Sequence, residues 1–123
     1  MAGEMDLLEK IRASRESVVE AEGKKFTIRR PTEAEQITLF RQEGINSLDM
    51  VRLFVVGWNL QEIDLISGGS PVSVEFNAQV WAEYVNDKPA LWVPLSDAIT
   101  QSILSHREKV ESAVKKWRTG WEG

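Results

Sequence analysis

A chain of 123 residues that is 42% hydrophobic and 28% charged can bury one sizeable core, and its composition is not that of a disordered polymer. It holds no cysteine and one histidine, which excludes disulfides, thiolate metal sites, thiol nucleophiles and the paired-histidine zinc motifs together. Its charge of −4 is unevenly spread, with +1 over residues 1–31, −7 over 32–104 and +2 over 105–123; an acidic body repels phosphate backbones, so no nucleic-acid partner is expected.

Residues 5–15 place Leu7, Leu8 and Ile11 on one side of a short helix, with Glu and Arg opposite. The period then changes. Val19 and Ala21, followed by Phe26 and Ile28, alternate with polar residues about Glu22-Gly23, which predicts a hairpin pairing 17–22 with 24–29. An isolated hairpin is marginal in water, so its Val19, Phe26 and Ile28 face should lie against a helix.

Thr32 with Glu35 three residues on is a capping box, and Pro31 keeps Arg30 extended before it. A helix should therefore begin at Glu33, with Ala34, Ile37 and Phe40 as its inner face and Gly44 at its end. Asn46 or Ser47 can cap the next helix, and Asp49 suits its first turn. That helix, about 47–58, is apolar nearly all round: Leu48, Val51, Phe54, Val55 and Trp58 share a stripe, with Met50, Leu53 and Val56 on its flanks. It belongs at the centre of the fold. The apolar run of 48–60 is too short for the roughly 20 residues of a membrane span, so no membrane partner is expected.

From Asn59 to Val74 the periodicity fails, and Ser67-Gly68-Gly69-Ser70-Pro71 reads as a flexible turn before a brief extended piece at Val72 and Val74. Asn77 is placed as an N-cap, with Phe76 spaced to pack on Trp81 and a helix expected over 78–85. Leu91, Leu95, Ile99 and Ile103 then recur every four residues. Pro94 interrupts this run, so the helix should start near it or bend there. Beyond Ser105 the stripe thins to Val110, Ala113, Val114 and Trp117 among Arg107, Lys109 and other charges, a narrow face that either leans on the body or serves a partner. The fold class expected is α+β, mostly α, with helices around the 47–58 helix and a small hairpin at about 17–29. One domain, 1–123, should include everything, with residues 1–16 and 106–123 as its mobile ends.

Little in this chain suggests catalysis. His106 is read as an ordinary helical histidine, and no serine lies in a GxSxG context. Gly68-Gly69 lacks the GxGxxG or Gly-Lys-Ser/Thr pattern of a phosphate loop, and Glu62, Asp64 and Glu75 lack the spacing of a calcium loop. No catalytic, cofactor-binding or metal-binding residue is assigned, and no cofactor is expected. Among the five tryptophans, Trp58 and Trp81 sit on apolar stripes and are read as core, while Trp92 is ambiguous. Trp117 and Trp121 lie in the basic terminus, where an interface and docking on the body remain alternatives. Arg107, Lys109, Val110, Val114 and Trp117 are the candidate protein-binding residues.

The order of these segments resembles a known family. Phe-Thr-Ile-Arg-Arg-Pro-Thr-Glu-Ala-Glu (26–35), Val-Arg-Leu-Phe-Val-Val-Gly-Trp-Asn (51–59), Pro71 to Phe76, and Pro-Ala-Leu-Trp-Val-Pro-Leu-Ser-Asp-Ala-Ile (89–99) are similar to the tail assembly chaperones of long-tailed bacteriophages and prophages. The resemblance covers residues 24 to about 115, leaves 1–16 without a counterpart, and rests on order, since none of these motifs is catalytic. It implies a non-enzymatic protein of the bacterial host cytoplasm that binds the tape-measure protein, helps recruit tail-tube subunits and is absent from the finished virion. Family members are often made in short and long forms by a ribosomal frameshift, and Lys115-Lys116 is compatible with an A-rich slippery run. Two other readings are a structural virion component, such as a minor tail or head–tail joining protein, and a non-phage interaction adaptor. A homo-oligomer is left open.

Overall fold

In a computed structural model the backbone is described for residues 2–41 and 46–122, and the side chains for 6–39, 41 and 46–117. The expected helix end at Gly44 and the side chains of Phe40 and Trp121 lie outside these residues.

Helix α1 (Ala2–Ala13) is followed by strands β1 (Glu16–Ala21) and β2 (Lys24–Arg29), paired antiparallel as the alternation predicts. Their two-residue turn needs positive φ at both positions, and Glu22 (52°) and Gly23 (73°) supply it. Phe26 and Ile28 are buried, Val19 packs partly on the core, and Val18 points away at 65% exposure.

Helix α2 (Glu33–Arg41) starts where the capping box places it: Thr32 Oγ1 accepts from the Glu35 N–H, and Glu35 Oε1 accepts from the Thr32 N–H. Its inner face differs from the expected one. Ala34 is exposed and Ile37 is 56% exposed, whereas Gln36 is buried and Leu39 packs on the core. The helix is turned by about one residue, roughly 100°, because polar contacts fix it. Glu35 takes a bidentate pair from Arg29 (2.7 and 2.8 Å), and Gln36 Nε2 donates to the Pro31 carbonyl (3.0 Å).

The apolar segment does not remain helical to residue 58. Helix α3 (Ser47–Phe54) ends at Phe54, and the chain continues as β3 (Val55–Trp58), antiparallel to β2, giving a sheet of order β1-β2-β3. A β-branched pair followed by Gly57 suits this change, and the decisive partner is the second edge of β2. Thr27 lies opposite Gly57, where an added Cβ would come within 3.0 Å of the Thr27 side chain. Asn46 caps α3 in a box with Asp49, and Met50, Val51 and Phe54 are its buried residues.

Residues 59–77 form an ordered connection. Helix α4 (Glu62–Leu65) is capped by Asp64, whose carboxylate accepts from the Gln61 N–H, and Val74 N donates to the Leu60 carbonyl. The Gly68-Gly69 turn is tied down through Glu62, which accepts from the Ser70 N–H; a Cβ on Gly69 would meet the Glu62 backbone at 2.8 Å. Asn77 caps helix α5 (Ala78–Asn86) as predicted, accepting from the N–H groups of Gln79 and Val80. Phe76, however, packs edge-on against Trp58 (4.8 Å between centroids), because β3 brings Trp58 over it.

Helix α6 (Pro89–Glu122) begins at Pro89, five residues before the expected break, and passes through Pro94. Proline at the first position is pre-set for a helix, and Pro94 and Ala90 are both exposed, so solvent can reach the carbonyl that Pro94 leaves without a donor.

Trp81 is the hub of the core. Its fully buried ring lies 5.4 Å from Phe26, 6.3 Å from Trp58 and 6.2 Å from Tyr84, while its Nε1 donates to the Val51 carbonyl (2.8 Å) at the end of α3. Trp58 Nε1 donates to the Val74 carbonyl and Trp92 Nε1 to that of Val85, so each of these half-buried indoles satisfies its donor on the backbone while its ring packs on the core. Leu91, Leu95 and Ile99 of α6 complete the same cluster.

Candidate interaction surface

The stripe of α6 is buried as far as Ile103, which is 4% exposed. Past it, Leu104 is 43% exposed, Val110 47%, Val114 45% and Trp117 66%. Val110, Ala113, Val114 and Trp117 keep the three-and-four spacing of one helical face, and the 14 residues from Ile103 to Trp117 extend it by about 21 Å. Of the residues singled out in the sequence, Val110, Val114 and Trp117 therefore share an exposed apolar line. Arg107 is engaged within the chain, where its Nη2 donates to the buried Gln36 Oε1 (3.1 Å) and anchors α2 to α6. Lys109 borders a surface cavity at the root of this segment.

That cavity, of about 320 Å³, joins three parts of the fold: the turn after α1, the end of β2 at Arg30, and α6 around Ser105 and His106. The turn after α1 and the α6 segment around Ser105 thus border one cavity where α6 leaves the body. Leu7 (59% exposed), Leu8 (47%) and Ile11 (44%) give α1 a second uncovered apolar stripe. Sequence periodicity located both stripes; nothing in it could show that the turn after α1 and α6 border one cavity, because they lie about ninety residues apart in the chain.

Elsewhere several charged groups are held by their neighbours. Asp64 pairs with Lys24 (3.5 Å) as well as capping α4. The Arg29–Glu35 pair, with Arg29 also 4.8 Å above the Phe54 ring, raises the guanidinium's pKa and lowers that of Glu35 from 4.5 to about 2, chiefly through their hydrogen bonds. Burial, with help from Asp64, pushes the Tyr84 phenol up. Tyr84 lines a cavity of about 540 Å³ with Glu83, Asp87 and Lys88, and the Lys88 ammonium lies 5.5 Å from its ring. Among the described residues no cluster of three or more His, Asp or Glu is arranged to hold a metal ion, and no helix is long and apolar enough to cross a membrane.

No protein-family model, no curated protein and no solved structure matches this chain. The geometry supplies two amphipathic helices with exposed apolar lines, and the turn after the first borders the same cavity as the second. Such an arrangement can cover the apolar face of another helix, with Lys109 and its neighbours on the rim.

Proposed function

We propose that the protein is a tail assembly chaperone of a long-tailed bacteriophage or prophage, acting in the cytoplasm of the bacterial host. Its exposed helical stripes would cover apolar helical surface on the tape-measure protein, help recruit tail-tube subunits, and be released before the virion is complete. The observation that supports this reading is the continuation of α6 past the core with Val110, Val114 and Trp117 exposed on one face. A tape measure is long and helical, so its unassembled form would present apolar lines to the cytoplasm; a rigid helical face of matching period can shield them without catalysis.

The test is binding of a tape-measure segment to the intact chain and to a V114D/W117A variant. The expected result is at least a tenfold loss of affinity with the unfolding midpoint unchanged, since truncating central apolar anchors commonly costs 2 kcal/mol or more, roughly thirtyfold. Equal affinity would remove the tail from the mechanism. Mass spectrometry of purified virions separates the chaperone from a minor tail or joining protein: the chaperone is absent, and a structural component is retained.

A further inference from the structure

The cavity at the root of the α6 tail has a chemistry that helix covering does not use. We propose that it is a binding site for a compact tetrahedral oxyanion, a phosphate group, held by Arg15, Arg30 and Lys109 with His106 and serine hydroxyls completing the shell.

Three observations carry this assignment. Every described residue lining the cavity is polar, and three permanent cations face one acid, Glu16. Among the described residues neither Arg15 nor Lys109 forms an ion pair. Among the described residues Arg30 places one side-chain donor, Nη1, on the adjacent Pro31 carbonyl (3.1 Å). Second, the donors come from different directions: Arg15 and Ser17 from the start of β1, Arg30 from the end of β2, Ser105 and His106 from α6. A planar carboxylate accepts within one plane, whereas a phosphate presents oxygens to all three elements at once. Third, Ser14 and Ser102 turn their hydroxyl hydrogens back to the carbonyls of Ile11 and Ile99, both at 2.6 Å, which leaves their oxygens able to accept. They suit a phosphate oxygen that carries a proton, while Ser17 and Ser105 supply donors.

Compactness follows from the rest of the molecule. Residues 32–104 carry −7, so an anion lodged in this pocket gains from the local cations while a polymer extending over the body would be repelled. The ligand class is therefore a single phosphate, either free or esterified to a small group.

His106 is the chain's one histidine, so its ring resonances report on the cavity without ambiguity. Intact protein is titrated at fixed pH and ionic strength, with chloride replaced by inorganic phosphate. The expected result is a saturable shift of the His106 signals in the millimolar range, weakened about tenfold by R15Q and by R30Q, the loss of one charged hydrogen bond. The charge-matched K25Q, away from the cavity, should bind as the parent does; each variant is first shown to melt like it, and R15Q decides the matter if R30Q does not fold. A linear, non-saturating response, or equal weakening by K25Q, would overturn the site. A phosphoserine peptide distinguishes the two sources: tighter binding than free phosphate assigns the site to an esterified group, equal or weaker binding to the free anion. Tighter binding of a single-stranded oligonucleotide, per phosphate, would overturn the compact-anion assignment.

Discussion

The two halves of α6 carry one apolar period and meet opposite surroundings. Leu91, Leu95, Ile99 and Ile103 lie between 0 and 4% exposed under α3 and the sheet, whereas Val110, Val114 and Trp117 have 45 to 66% of their surface in solvent. Along α6 the periodicity matches the helix and the run of its apolar line; whether that line is covered depends on segments far away in the chain. A stripe that outruns the body leaves apolar surface in solvent, and on this molecule α1 repeats the pattern.

The sharpest way to break the contrast is to compare tryptophans. W81A removes a fully buried ring together with its bond to the Val51 carbonyl, and is expected to destabilise by about 3–5 kcal/mol in chemical denaturation. W117A should change stability by less than about 0.5 kcal/mol, as surface substitutions do. Within α6 itself, I99A should cost about 2–5 kcal/mol and V114A a few tenths, although the two positions share a stripe. If V114A approached the cost of I99A, the tail would be packed against the body in solution.

A smaller effect tests how α2 is held. Glu35 has its pKa lowered from 4.5 to about 2, so its contribution is complete above pH 4.5 and is lost as the pH falls toward 2. About a third of each side chain of the Arg29–Glu35 pair stays in solvent, which limits the pair to about 1 kcal/mol after screening. E35Q should therefore lower the unfolding free energy by about that much at pH 7 and flatten its dependence on pH between 4.5 and 2.

These contrasts also show which parts of the structure could be read from sequence. Elements announced by local chemistry stand close to where they were expected: the Glu22-Gly23 hairpin, the Thr32–Glu35 box, the Asn77 cap and the buried run to Ile103. Elements fixed by distant partners do not. Val55–Trp58 continues the helical stripe of α3 on paper, yet pairs with β2 because that edge is open; Phe76 meets Trp58 for the same reason. The inner face of α2 escaped a hydrophobic reading because it is set by Gln36, bonded to Arg107 across 71 residues of chain. For the candidate surface, the thinning stripe after Ser105 was legible, including Val110, Val114 and Trp117. The inward use of Arg107 and the polar cavity beneath Lys109 were not, since the first needs α2 against α6 and the second needs the turn after α1, Arg30 and α6 brought together.

Hydrogen exchange read along α6 in the isolated, dilute chain tests the division of that helix most directly. Amides of residues 95–103 should exchange only through global unfolding, at least about a hundredfold more slowly than those of 108–117. Adding a tape-measure segment should then slow the second group alone. Equal protection of both halves in the isolated chain would contradict the account, because the tail would already have its cover.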